Sequence, residues 1–236
     1  MRIALGLEYD GTEFVGWQTQ RESRSVQALL GEAISSVANH PVTVAGSGRT
    51  DAGVHALQQV AHFDSDSVRD DRQWLLGINS NLPSDIAVQW VRRVDDRFDA
   101  RRSAIWRRYR YLVLQRPVRS ALACRRTWWI RDELDCGAMT AAASFWLGEN
   151  DFSAFRAAAC QSSTPMRRLM DVSVVLRDGL IALEFRANAF LQHMVRNFVG
   201  VLVKIGRGDE PPQWAGDVLL SRDRKRGGVA APPQGL

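Results

Sequence analysis

Between residues 46 and 56 the chain reads Gly46-Ser47-Gly48-Arg49-Thr50-Asp51-Ala52-Gly53-Val54-His55-Ala56. This glycine-punctuated loop holds one carboxylate, one guanidinium, a threonine and a histidine. Its three glycines let the backbone adopt positive φ or approach a ligand closely, which a β-carbon resists. Arg49 and Asp51 stand two apart, so on an extended backbone their side chains leave on one face and Thr50 on the other. An opposite charge within about 4–6 Å lowers a carboxylate pKa by roughly 1–3 units, so Arg49 would keep Asp51 ionised. An ionised, partly buried aspartate can serve as a nucleophile. As a general base it is weak at neutral pH, because its pKa lies far below the working pH. Aspartates in such loops also commonly cap their own backbone, and composition alone leaves Asp51 open between these roles.

Other familiar constellations are missing. His40, His55, His62 and His193 have no metal-ligand spacing and no cysteine partners, so each is read as structural and zinc chemistry is not expected. Cys124, Cys136 and Cys160 are odd in number and widely separated, which suits reduced thiols rather than a disulfide framework. There is no Gly-x-x-x-x-Gly-Lys loop and no dinucleotide fingerprint after a first strand, so neither ATP nor NAD is implied. Hydrolysis of a glycosidic bond usually takes two carboxylates, and this loop offers one.

The 236 residues are 45% hydrophobic and include eight tryptophans, enough for one large domain or two closely packed halves. No apolar run reaches the roughly 18 residues that span a bilayer, and the N-terminus lacks a signal-peptide pattern; a cytoplasmic protein without membrane contact is expected. The formal charge is +5, and only Lys204 and Lys225 are lysines, so the excess is arginine. A GC-rich genome would raise arginine everywhere, but the distribution is uneven. From 100 to 131 there is no Asp or Glu, while ten arginines fall in that window, interleaved with Trp106, Tyr109, Tyr111, Trp128 and Trp129. An ordinary solvated surface mixes signs; an acid-free arginine stretch with aromatics suits a phosphate backbone carrying bases to stack on.

The elements that must hold these groups follow from periodicity. Ile3, Leu5, Leu7 and Tyr9 alternate into Asp10-Gly11, a strand entering a turn. Ser25 precedes Val26, Leu29, Leu30, Ala33, Ile34 and Val37, a helix with an N-cap. Val42-Thr43-Val44 reads as a short strand into the glycine loop and 58–63 as the strand out of it. A short helix around 74–78 is followed by the turn formers Asn79-Ser80-Asn81-Leu82-Pro83-Ser84-Asp85 and a strand over 86–94. Over 107–114, Tyr109, Tyr111 and Val113 share one face, and Arg108, Arg110, Leu112 and Leu114 the other. Asp135 caps a helix with Met139, Ala142, Ala143, Trp146 and Leu147, stopped by Gly148. Val172 to Phe185 reads as a hairpin through Arg177-Asp178-Gly179. Residues 190–205 read as a long amphipathic helix, with His193, Arg196 and Asn197 off its apolar stripe. The expected class is α+β, with strands and a packed helix in each half.

The chain resembles the tRNA pseudouridine synthases of the TruA type. The resemblance runs over nearly all of it. It is most specific in Gly48-Arg49-Thr50-Asp51-Ala52-Gly53-Val54-His55-Ala56, and is supported by Leu7-Glu8-Tyr9-Asp10-Gly11, Gly16-Trp17-Gln18, Asn79 to Pro83 and Phe98-Asp99-Ala100-Arg101. Further matches are Arg108-Tyr109-Arg110-Tyr111, Gly148 to Phe155, Cys160-Gln161-Ser162, and Ala187-Asn188-Ala189-Phe190 with His193-Met194-Val195-Arg196-Asn197. The resemblance implies the pseudouridine synthase fold: two similar α/β halves, 1–103 with the aspartate loop and 104–236 with the Tyr109 strand and the Arg196 helix. Each half would have an antiparallel or mixed sheet with packed helices, and the active-site cleft would lie between them. It implies conversion of uridine to pseudouridine at positions 38–40 of the tRNA anticodon stem-loop by a homodimer, with no cofactor and no metal.

By the same resemblance Asp51 is the nucleophile, attacking either the uracil ring or the sugar. Arg196 pairs with that carboxylate, and Tyr109 stacks on the target base and takes part in proton removal. Arg49 is an RNA contact that helps hold the flipped nucleotide, as much as a partner of Asp51. Arg69, Arg101, Arg102 and Arg116 are candidate phosphate contacts, and Phe98 and Gln161 lie in matching RNA-binding segments. The family continues beyond Ala231-Pro232-Pro233-Gln234-Gly235-Leu236 into a final strand, whereas this chain stops at Leu236, the residue placed beside the target base. A product of this length would expose a sheet edge, and reduced stability is expected of it. Two alternatives stand beside this reading: a non-catalytic RNA-binding module of the same fold, and a pseudouridine synthase acting on another RNA.

Overall fold

In the computed structural model, which describes residues 1–21 and 23–236, the alternating residues at the N-terminus form β1 (Arg2–Tyr9). Ala4 and Gly6 between them are buried too: β1 is a central strand, and the Trp90 indole lies over Gly6. The chain divides into two units, Met1–Ile105 and Trp106–Leu236.

In the first unit β1 is followed by α1 (Val26–Ala38), β2 (Val44–Gly46), β3 (Ala56–Asp64), α2 (Asp71–Asn81) and β4 (Ile86–Val94). The sheet order is β2-β3-β1-β4, with every neighbouring pair antiparallel. Helix α1 buries Val26, Leu30, Ala33 and Ile34 and α2 buries Trp74 and Ile78, all in one core with Leu5, Leu7, Trp17 and Phe63. Helix α2 starts at a capping box: the Asp70 carboxylate accepts from the Gln73 N–H at 2.7 Å, and the Gln73 side chain accepts from the Asp70 N–H at 3.0 Å.

The second unit runs β5 (Arg107–Gln115), β6 (Trp128–Ile130), α3 (Cys136–Ser144), β7 (Gly148–Asp151), β8 (Met166–Arg177), β9 (Leu180–Ala187), α4 (Met194–Gly206) and α5 (Trp214–Ser221). Its sheet order is β6-β5-β9-β8-β7, parallel only between β5 and β6. The β8–β9 hairpin turns through Asp178 and Gly179, both at positive φ (51° and 75°), as a two-residue turn that matches strand twist requires. Helix α4 lies in the core almost all round, with Phe198 stacked on Trp146 at 4.5 Å. On β5, Tyr111 and Val113 are buried while Arg108 and Arg110 are exposed, as the alternation predicts.

Several boundaries differ from the sequence reading, each for a local reason. Ser25 occupies the N-cap position of α1, but its hydroxyl makes no cap bond. The first helical N–H groups are already taken, because Val26 and Gln27 donate to the carbonyls of Gly16 and Trp17. The strand into the glycine loop begins at Val44 rather than Val42 and carries Gly46 with it. Asn79, Ser80 and Asn81 belong to the last turn of α2, not to a free loop. The Asn79 amide bonds both backbone groups of Val88 on β4, at 2.9 Å each, and this ties the helix end to the sheet. Helix α3 ends at Ser144, leaving Leu147 exposed. Helix α4 begins at Met194, since His193 takes φ 62° and cannot continue a helix toward Phe190. Asn197 is no surface residue: it is buried within the second core.

Candidate active site

The glycine loop joins two adjacent antiparallel strands, with Val44 opposite Phe63 and Gly46 opposite Ala61. Asp51 therefore sits on a connection whose two ends are held in one sheet. The loop is pinned along its length. The Ser47 N–H donates to the Val60 carbonyl at 2.8 Å, and its hydroxyl donates to Gln59 at 2.6 Å. The Gln59 amide in turn donates to the Gly48 carbonyl at 2.7 Å. Thr50 is gripped twice: its carbonyl accepts from the Trp17 N–H at 3.0 Å, and its hydroxyl shares a hydrogen bond with Tyr9 at 2.8 Å. Gly53 donates to the Phe14 carbonyl, and Val54, itself buried, donates to the carbonyl of Asp51. The Gly11 N–H donates to His55 Nδ1 at 3.0 Å, closing the far end.

One glycine outside the motif matters to this mount. Gly16 has φ 105°, and a β-carbon there would lie 2.5 Å from the Thr50 carbonyl oxygen. Only glycine permits both the backbone conformation and the close approach. The loop thus holds Asp51, half-buried, next to a residue fixed through both its main chain and its side chain, while Arg49 is exposed.

Other candidate residues of the first unit belong to other segments of the chain. Phe98 is half-buried and meets the His62 ring edge-on at 5.9 Å, while its carbonyl accepts from Arg2. Arg101 and Arg102 are exposed on a turn organised by Asp99, whose carboxylate accepts both of their backbone N–H groups at 2.9 and 2.8 Å. Arg69 precedes α2 and donates to the carbonyls of Val68 and Val37.

In the second unit Tyr109 lies on the inward face of β5, opposite Phe185 of β9, with the Phe190 ring edge-on at 4.9 Å. Two residues further on, buried Tyr111 donates to the Pro232 carbonyl at 2.7 Å. Burial raises its phenol pKa far above the usual value, only partly opposed by the nearby Arg196 cation, so it remains a donor. Arg196, on α4, clasps the same segment: its Nε donates to the Ala231 carbonyl at 2.7 Å, and its own carbonyl accepts from the Ala231 N–H at 2.9 Å. Leu236, at the end of that segment, packs against the second core. The structure therefore gathers Arg196, Tyr111 and residues 231–236 into one cluster.

Gln161 is exposed on a loop stapled by two arginines. Arg156 donates to the carbonyls of Cys160 and Ser162, each at 2.7 Å, and Arg167 donates to the Ser162 hydroxyl at 2.6 Å. Burial resists ionisation of the Cys160 thiol, but the N–H groups of Gln192 and Ser162 and the Arg156 guanidinium outweigh it and lower its pKa. Arg116 donates to the carbonyls of Val118 and Arg119 and so shapes its own loop.

Sequence reasoning passed over Tyr9, Gln59, Tyr111 and Asn197 as parts of this machinery. Gln59 carried a signal: it is in phase with Ala61 and Phe63 on the inward face of β3, where a polar residue must find a partner. Tyr9 and Tyr111 gave none, since an inward tyrosine in a strand reads as core. Among the described residues no group of three or more His, Cys, Asp or Glu is placed to hold a metal, and no helix is long and apolar enough to cross a membrane.

Two α/β units, one antiparallel sheet and one mixed, with helices packed on each and an aspartate on a glycine-rich connection, define an enzyme of the pseudouridine synthase fold. A family model described as tRNA pseudouridine synthase matches residues 7–101 and 141–236. The chain is 52% identical over all of its 236 residues to the tRNA pseudouridine synthase A of Methylococcus capsulatus, covering 87% of that protein. It is 51% identical to that of Nitrosococcus oceani and 48% identical to that of Coxiella burnetii, covering 91% and 90% of them. The chain belongs to the tRNA pseudouridine synthase family.

Proposed function

We propose that this enzyme isomerises uridine to pseudouridine at positions 38–40 of the tRNA anticodon stem-loop, with Asp51 as nucleophile. The reaction breaks the bond between C1′ and N1, turns the ring, and joins C1′ to C5. C5 loses its hydrogen as a proton and N1 gains one, so no atom is added and no redox partner is consumed. A paired base must first leave its stack, at a cost of a few kcal/mol, and stacking on Tyr109 offsets about 1–3 kcal/mol of it. Arg196 is the proposed cationic partner of the Asp51 carboxylate and Arg49 a contact to the flipped nucleotide. Arg69, Phe98, Arg101, Arg102, Arg116 and Gln161 are the proposed further RNA contacts, with Leu236 beside the base. The enzyme is proposed to act as a homodimer in the cytoplasm.

The observation that carries the reading is the double grip on Thr50, which fixes the backbone immediately before Asp51. A nucleophile gains from such a mount because catalysis depends on prepaid orientation; a surface cap does not need it. The test is tritium release from tRNA labelled at uridine C5. The wild-type chain releases it, while Asp51→Asn abolishes release and retains tRNA binding. Undiminished release by the variant removes the nucleophile assignment, and release only from other RNAs removes the anticodon one.

A further inference from the structure

At the start of β1 lies a groove of about 590 Å³ whose lining includes Trp74, the arginines Arg69, Arg72 and Arg93, and the carboxylates Asp70 and Asp71. Both carboxylates are committed elsewhere. Asp70 caps α2, and Asp71 accepts from Arg92 at 3.2 Å. Among the described residues none of the three lining arginines has a carboxylate within ion-pair distance, and Arg69 donates only to neutral carbonyls. Trp74 is 1% exposed, packs edge-on against Phe63 at 5.2 Å, and its indole N–H has no acceptor.

We propose that this groove is a second tRNA contact, where Arg69, Arg72 and Arg93 hold backbone phosphate. The proposal rests on the reading of the chain as a tRNA-modifying enzyme. Arginine forks without carboxylate partners match phosphate oxygens bidentately. The groove is remote from the chemistry. Ile3 lines it, Tyr9 touches Thr50 beside Asp51, and six strand residues at about 3.3 Å each separate the two by ~20 Å. Contacts of this kind position a nucleic acid rather than read its bases.

The test uses Arg72→Ala/Arg93→Ala in the full chain, measuring tRNA affinity against salt and tritium release in parallel. Arg72 and Arg93 are exposed and bonded to no described side chain, so the double variant keeps its melting midpoint. Its Kd for tRNA rises about tenfold, and its log–log salt slope becomes shallower by roughly one to two units, as loss of one or two phosphate contacts requires. KM rises in proportion while kcat stays within about twofold, the signature of lost uniform binding. An unchanged Kd, or weaker binding at an unchanged salt slope, overturns the groove while leaving the enzyme reading intact. Absence of tritium release by the wild-type chain from any tRNA overturns that reading, and the binding arm still decides the groove.

Discussion

The hydroxyls of Tyr9 and Thr50 lie 2.8 Å apart, joining the last residue of a central strand to the residue before Asp51. Neither side chain needs to touch substrate for this bond to matter, because it sets where the Asp51 backbone begins. Tyr9→Phe removes the bond and keeps the ring. The expected cost is about 1 kcal/mol in stability and roughly tenfold in kcat, since small misplacements near a reacting group are amplified in rate. Urea unfolding and single-turnover kinetics check both. Thr50→Val should cost the same, and the double variant little more than either alone; additive losses would show that the pair does not act as a unit.

Gly16 faces the same threonine from the other side. Gly16→Ala puts a methyl 2.5 Å from the Thr50 carbonyl at φ 105°, so backbone must shift whichever strain is relieved. A loss of about 1–3 kcal/mol is expected, together with activity reduced beyond that of Tyr9→Phe. A melt unchanged from wild type would mean that the loop yields without cost.

Asn197 links two distant segments of the second unit. Its amide donates to the Phe155 carbonyl at 2.7 Å, and its oxygen accepts from Arg224 at 2.8 Å. Burial lowers the Arg224 pKa, so removing an acceptor adds to a cost that the cation already bears. Asn197→Leu keeps the volume but strands a buried carbonyl and takes one acceptor from a partly buried guanidinium, which keeps its bond to the Gly228 carbonyl at 2.7 Å. A cost of about 2–4 kcal/mol follows, readable as a lower urea midpoint at constant slope.

His62 gives the fold an acid-sensitive point. Its Nδ1 accepts from the buried Ala100 N–H at 3.1 Å, which requires that nitrogen to be unprotonated. Burial, and then the Arg2 cation, lower its pKa below the ordinary 6.5. The folded state thus disfavours the proton that the unfolded chain accepts. The contribution is fully present above about pH 6.5 and is lost as pH falls through the depressed folded value. His62→Asn keeps an acceptor near Nδ1 and cannot titrate. Its melting midpoint should fall less than the wild type's between pH 7.5 and 5.5; parallel curves would remove His62 as the cause.

Much of this protein was legible in order along the chain. The alternation of Ile3, Leu5, Leu7 and Tyr9, the 107–114 strand with its arginines outward, and the Asp178-Gly179 hairpin each follow from interactions within a few residues. Those are the distances over which periodicity and turn chemistry act. The glycine loop also announced itself, because three glycines around one acid are a local requirement. What periodicity could not supply were the ends of elements and the partners of polar groups. Ser25 looked like a cap, yet the carbonyls of Gly16 and Trp17 already satisfy those N–H groups. Asn197 lay off the apolar stripe of α4 and so looked solvent-facing, but Phe155, 42 residues away, and Arg224 hold it in the interior. The grip on Thr50 likewise joins residues 41 apart in sequence. Local spacing determines which face a residue takes, but a hydrogen bond or a steric stop is decided by whatever the fold brings to that face from elsewhere, and only the tertiary structure contains it.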